Sequence, residues 1–291
     1  MISFDAQDYS FAGPATIPGG LVTLQLRNTG KEVHHLQLLK LNTNATPEQA
    51  LGALASANPE SVFQFVTATG GVGSIDPTGT AQITANLQPG QYVLACFIPS
   101  PSDGIPHAAK GMVKPLTVTA PPAGQPAASP QSAGTVTLKD FSFDGPTTLN
   151  AGQVTLQVTN SGRQIHEMSV LKLASGKQPQ DVLSFFQSTQ RVPSSVSASV
   201  SVSSNSASLS VSAGSPSPSA SAASGSAAAR PAGGPPPFAD AGGVNGLSQG
   251  LSAWGTLSLT PGDYVFICNV PDPQSGKPHW ALGMIKGFSV K

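Results

Sequence analysis

Two stretches of the chain carry the same chemistry-bearing residues at the same spacing. Residues 91–112 read QYVLACFIPSPSDGIPHAAKGM, and residues 263–284 read DYVFICNVPDPQSGKPHWALGM. In each, ten residues separate a Cys from a His and four separate that His from a Met. The members are Cys96, His107 and Met112 in one copy, and Cys268, His279 and Met284 in the other. Upstream, NTGKEVHHLQLLKL (28–41) matches NSGRQIHEMSVLKL (160–173), adding His34 and His166. The chain has two Cys, five His and four Met; both Cys, four His and two Met fall at equivalent points. A thiolate and two imidazoles in a plane, with a weak, long thioether on the axis, suit copper that cycles between Cu(I) and Cu(II). Sulfur and nitrogen together serve both oxidation states, so electron transfer needs little rearrangement.

Such ligands need a rigid frame, and the alternation of apolar and polar residues supplies strands. Val22, Leu24 and Leu26 alternate with Thr23 and Gln25; Val154, Leu156 and Val158 repeat the pattern. Tyr92, Leu94 and Cys96 share a face, as do Tyr264, Phe266 and Cys268, so each Cys is expected to point with its large core neighbours. Thr46 and Pro47 open a short helix in the first copy, and QPQDVLSFFQ offers one at the same place in the second. QPGQ (88–91) and TPGD (260–263) read as hairpin turns before the Cys strands. Met168 is expected in the core, His35 either facing solvent or supporting the site, and Trp280 packed at the end of the frame.

Length and composition set the organisation. With 291 residues, 31 Gly, 27 Pro and few amphipathic helical patterns, the chain reads as a turn-rich all-β protein of two domains. The expected boundaries are 1–120, a Pro/Ala/Ser linker at 121–133 that is extended and mobile, and 134–291. The second copy holds a Ser/Ala/Pro-rich insertion at about 192–238, expected to be disordered. Net charge is zero and only 10% of residues are charged, which argues against nucleic acid as a partner. No apolar run of about 18 residues encodes a membrane span. MISFDAQDYSFAGP aligns with AGTVTLKDFSFDGP (133–146) almost from its first residue, so no signal peptide is expected within this sequence. Two Cys at equivalent positions make a poor disulfide framework.

The order His, Cys, His, Met, with PHAAKGMVKPLTV (106–118) and PHWALGMIKGFSV (278–290) closing each copy, resembles the cupredoxins, the blue-copper proteins related to plastocyanin and azurin. The chain is similar to a tandem duplication of a bacterial cupredoxin-like domain. The resemblance implies two Greek-key β-sandwiches, each with a short helix insertion. It implies one copper per domain, with His34, Cys96 and His107 equatorial and Met112 axial, then His166, Cys268 and His279 equatorial and Met284 axial. An extracytoplasmic home (periplasmic, secreted or cell-surface) follows from the same resemblance. Two features depart from the family. The family usually has two to four residues between Cys and the loop His, and it often has an Asn after the first His, where this chain has His35 and Glu167.

Three functions fit these residues: an electron carrier, a non-redox copper-handling protein, and a metal-free cupredoxin-like binding or structural module. For the carrier, a redox protein is expected to dock at the loop-His end, with electrons passing through a partly exposed loop His flanked by Pro278, Trp280 and Ala281. An enzyme is not expected. Copper oxidases need further imidazoles, usually as His-x-His or His-Cys-His, and His35 is the one spare histidine.

Overall fold

The computed structural model describes residues 1–56, 58–124, 128–190 and 235–291. The first half comprises β1 (Ile2–Gln7), β2 (Ser10–Ala12), β3 (Thr16–Pro18), β4 (Gly20–Asn28) and β5 (His34–Leu41). Helix α1 (Pro47–Leu54), a 3-10 turn (Pro59–Gln64), β6 (Val66–Ile75), β7 (Thr80–Leu87), β8 (Gly90–Ala95) and β9 (Val113–Thr119) complete it. The second half repeats the order with β10 (Gly134–Lys139), β11 (Ser142–Asp144), β12 (Thr148–Leu149), β13 (Gly152–Asn160) and β14 (His166–Leu173). It continues through α2 (Pro179–Gln190), β15 (Phe238–Leu247), β16 (Ser252–Leu259), β17 (Gly262–Ile267), a 3-10 turn (His279–Leu282) and β18 (Ile285–Val290).

Each half is a sandwich of the same topology. One sheet runs β2-β1-β4-β7 and the other β3-β9-β8-β5-β6, with β11-β10-β13-β16 and β12-β18-β17-β14-β15 as counterparts. The inward residues are those the alternation marks: Val22, Leu24, Leu26, Val154, Leu156 and Val158 are all buried. Each such side chain contributes about 1.5–3 kcal/mol through removal from water. Met168 lies in this core, as its surroundings in the sequence suggest. Helix α1 starts as expected, with a reciprocal Thr46–Gln49 capping box and Pro47 in the first turn. It covers the outer face of the Cys strand, burying Val93 and Ala95 with Leu54 and Val62. Helix α2 does the same over Val265 and Ile267.

The halves are joined edge to edge in both sheets. Strand β7 pairs antiparallel with β16 and β6 with β15, giving continuous sheets of eight and ten strands. A single apolar cluster therefore runs from Phe4 to Val290. The join closes the sheet edge that each half would otherwise leave unpaired.

The two Pro-Gly turns differ from the hairpin reading. Strand β7 lies in one sheet and β8 in the other, so QPGQ carries the chain between sheets, as does TPGD between β16 and β17. The Tyr92 hydroxyl donates back to Gln88 O at 2.7 Å and the Tyr264 hydroxyl to Thr260 O at 2.9 Å, bracing each crossing. Of the linker, residues 121–124 and 128–133 are described, and 125–127 lie outside the described residues. The expected disorder of the insertion falls mostly on 191–234, also outside them. At its far end Pro237 is buried and Phe238 begins β15, so the strand starts within the stretch read as insertion. No helix among the described residues is long and apolar enough to cross a membrane.

Candidate metal centre

His34 and His166 open β5 and β14 at a place where both strands bulge. The pairing of β5 with β6 slips between His34 and Leu36, and that of β14 with β15 slips between His166 and Met168. Gly71 and Gly243 permit this, since a Cβ on either would lie about 2 Å from the carbonyl oxygen of Leu36 or Met168 (1.9 and 2.0 Å). Both histidines are fully buried. Cys96 and Cys268 follow the last residues of β8 and β17, also fully buried and unpaired to each other.

The ten-residue stretch after each Cys folds back as a small pinned loop. Pro99 bridges Pro106, and Pro271 bridges Pro278. His107 N donates to Ile98 O at 2.9 Å and Ala108 N to Cys96 O at 2.7 Å. Met112 N donates to His107 O at 2.8 Å, while Cys96 N donates to Met112 O at 3.2 Å. His279, Trp280, Met284 and Cys268 repeat these bonds at 2.9, 2.9, 2.9 and 3.3 Å. The long loop is thus pre-organised by backbone bonds, and it holds His, Cys and Met together in both halves.

The donor atoms converge. His34 Nδ1 lies 3.1 Å from His107 Nδ1, and Cys96 Sγ lies 3.5 Å from the latter. In the second half the same separations are 3.0 and 3.3 Å. All three donor atoms of each group lie within 4.8 Å of one another. A cation bonded in a plane at about 2.0 Å to nitrogen and 2.3 Å to sulfur spaces its ligands by ~3.5 Å (N–N) and ~3.7 Å (N–S). In both halves the N–N and N–S separations at the loop histidine come within about half an ångström of those spacings. Met112 and Met284 are fully buried in the core cluster that also holds the two Cys.

Carboxylates and an amide outside the triangle decide which way the imidazoles face. His34 Nε2 meets Asp8 Oδ1 at 3.0 Å and His107 Nε2 meets Glu32 Oε2 at 2.8 Å. His166 Nε2 meets Asp140 Oδ1 at 3.0 Å, and His279 Nε2 meets Gln164 Oε1 at 2.7 Å. Burial works against the charge of Asp8, but N–H groups of Lys31 and Glu32 together with His34 hold its carboxyl below the usual range. His166 leads the same effect on Asp140. Carboxylate and amide oxygens serve here as acceptors, so each Nε2 carries the proton and each Nδ1 presents a lone pair. Burial keeps His107 and His166 below the ordinary histidine value and His279 at about 4, which favours the neutral ring. Two lone pairs therefore face each other at about 3 Å beside a sulfur (3.1 and 3.0 Å). That arrangement accommodates a cation. Burial pushes the Cys96 thiol to about 12 and Cys268 well up, so a metal ion must displace a proton there.

The residue after the first His ties the loops together. His35 Nε2 accepts from Phe97 N at 2.8 Å, and Glu167 Oε1 accepts from Asn269 N at 3.0 Å. Glu167 N points at Cys268 Sγ at 3.4 Å, as the His35 and Ile98 N–H groups do at Cys96. His35 is thus buried and supports the site; burial sets its pKa at about 3.

One expectation about access fails. His107 and His279 have no exposed surface, because the long loop and the turn residues Tyr9 and Phe141 close over them. The two rings stand edge-on to the imidazoles at 5.2 and 5.3 Å, on residues held at φ 64°. Trp280 is 4% exposed and stacks on Phe186 at 5.6 Å, while Pro278 is half-buried and Ala281 exposed, so the indole adds little to the surface there.

Residue spacing also leaves Asp8, Glu32, Asp140, Gln164 and the glycines beside them unnoticed. Gly30 and Gly162 occur in the repeated NTG and NSG, where Asn28 Oδ1 and Asn160 Oδ1 each accept the glycine N–H at 2.9 Å. Their identity in both copies is the signal that marks them.

No protein-family model matches the sequence, and no curated protein matches it. Among solved structures it is similar to the dithionite-reduced auracyanin of Roseiflexus castenholzii, at 21% identity and TM-score 0.29, covering 40% of this chain and 95% of that one. It is similar to an azurin of Methylomonas sp. strain J at 14% identity and TM-score 0.27, covering 41% and 96%. A blue copper oxidase from Nitrosomonas europaea matches at 11% identity and TM-score 0.23, covering 99% and 84%. The chain's own geometry is two sandwiches of one topology, each with a buried His–Cys–His group at its Cys strand, the arrangement that the cupredoxin resemblance of the sequence leads one to expect.

Proposed function

We propose that each half holds one copper ion and that the protein carries electrons, one per site. The residues that would hold it are His34, Cys96, His107 and Met112 in the first half, and His166, Cys268, His279 and Met284 in the second. The observation that carries this reading is the pair of facing Nδ1 lone pairs beside a buried sulfur, found twice (3.1 and 3.0 Å apart). Copper bound there would supply a one-electron couple. The chain's part is to hold the donors still: Asp8 and Asp140 fix the strand imidazoles, Glu32 and Gln164 fix the loop imidazoles, and His35 and Glu167 lock the strand to the loop. A one-electron redox protein would supply and accept the electron across Tyr9 or Phe141, the partly exposed rings over the loop histidines. An extracytoplasmic location belongs to this reading.

The closed loop histidines favour copper handling as the second reading, because a sealed ligand slows both electron exchange and metal loss. Oxidase chemistry is not part of either reading, since a chain with five histidines, four of them in these groups, has too few imidazoles for a further catalytic copper centre. Spectroelectrochemistry separates the two. Reversible bleaching of an intense visible band, halved by Cys96→Ser and abolished by adding Cys268→Ser, supports electron transfer. Tight copper binding with no reversible couple supports handling.

A further inference from the structure

Both halves build the same hydrogen-bonded chain outward from the loop histidine, yet they place its carboxylate differently. In the first half His107 Nε2 donates to Glu32 Oε2 at 2.8 Å, and Ser100 Oγ donates to Glu32 Oε1 at 3.0 Å. In the second, His279 Nε2 donates to Gln164 Oε1 at 2.7 Å, and Gln164 Nε2 donates to Asp272 Oδ1 at 2.8 Å. Glu32 and Gln164 each stand two residues before the first histidine, and Ser100 and Asp272 each stand four after the Cys. The two differences compensate. The bonds survive while the negative charge moves outward by one residue. A third position follows: the Tyr9 hydroxyl donates to Glu32 Oε1 at 3.1 Å, and its counterpart Phe141 has no hydroxyl. One mismatched change would have set two carboxylates against each other or left the imidazole without a charged partner.

We propose that Glu32 holds the first-half copper at a lower reduction potential than the Gln164–Asp272 arrangement allows, so that one chain separates its two sites in potential. The proposal rests on the copper reading above. A carboxylate bonded directly to the imidazole N–H makes the ring more basic and puts negative charge one ring away from the metal, which favours Cu(II) over Cu(I). In the second half an amide stands between, and Asp272 shares its charge with Ser275 Oγ at 2.6 Å and Ser275 N at 2.9 Å. Glu32 is a positioning and tuning residue; it touches the ligand and not the metal.

The test is potentiometry of copper-loaded full-length chain, with copper content measured on the same samples. In a Cys268→Ala background, which leaves the first site alone, the pair Glu32→Gln with Ser100→Asp keeps the hydrogen bonds and moves the charge. It should shift the Cu(II)/Cu(I) affinity ratio about tenfold, raising the potential by ~59 mV for one electron. The reverse pair, Gln164→Glu with Asp272→Ser in Cys96→Ala, should lower the second potential by a similar amount. Glu32→Asp, which keeps the charge, should stay near the parent. Shifts below twofold (about 18 mV) for both pairs overturn the proposal and leave the copper reading intact. A chain that takes up no copper overturns both.

Discussion

Gly30 lacks a side chain so that Asp8 can reach His34, and replacing it with alanine is the sharpest structural test of the site. A Cβ at Gly30 would lie 2.4 Å from Asp8 Oδ1, 2.7 Å from His34 Nε2 and 3.0 Å from Asp8 N. Real carbons do not approach oxygen so closely, so Asp8 must move by about half an ångström or more and the bond to the buried imidazole is lost. A hydrogen bond to a charged group contributes roughly 1.5–3 kcal/mol, and Gly30→Ala should destabilise the protein by about that much. Loss of the partner that fixes a metal-binding imidazole should weaken copper binding by about 10–100-fold. Gly162→Ala, whose Cβ would lie 2.6 Å from both Asp140 Oδ1 and His166 Nε2, should do the same in the second half. Gly52 is the control. It sits in α1 with nothing within 4 Å, so alanine there should stabilise the protein by about 0.5–1 kcal/mol. Urea denaturation of the metal-free protein and competition against a copper chelator measure the two effects. Gly30→Ala within about 0.5 kcal/mol of the parent, with unchanged copper affinity, would refute the role given to Asp8.

Other consequences are equally open to measurement. Burial beside Asp76 raises the Asp240 carboxyl to about 7. The folded state then binds more protons than the unfolded one between about pH 4 and 7, and stability must fall as pH rises through that window. Asp240→Asn should flatten that fall and add roughly 1–3 kcal/mol near neutral pH, read from denaturation midpoints across pH. Asn28→Ala removes bonds to Glu32 O (2.7 Å), Ile75 O (3.0 Å) and Gly30 N (2.9 Å), and should lose about 2–4 kcal/mol by the same denaturation assay. With Cys96 near 12 and Cys268 also raised, copper uptake must release about one proton per site. Calorimetry in buffers of different ionisation enthalpy would detect it, and apparent affinity should climb about tenfold per pH unit at neutral pH.

Much of this could be read before any coordinates. Val22, Leu24 and Leu26 alternate because one face of β4 meets the core, and the repeat sorts the scarce Cys, His and Met residues by position. Thr46 and Pro47 announce α1 through local chemistry alone. The rest depends on contacts distant in sequence. Alternation tells which face of β8 is inside but not which sheet β8 joins, so QPGQ passes for a hairpin. Asp8 and Glu32 look like ordinary surface acids because their histidines lie 26 and 75 residues away. The burial of His107 follows from the Pro99–Pro106 bridge and the Tyr9 turn, neither of which the Cys-to-His spacing encodes.

The central claim is that each half closes a His–Cys–His triangle on one copper ion. A copper titration of the full chain, following metal content and visible absorbance together, tests it most directly. Two equivalents should bind, with an intense thiolate-to-copper band rising to the second equivalent and no further. Saturation without that band, or no uptake at micromolar copper, would contradict it.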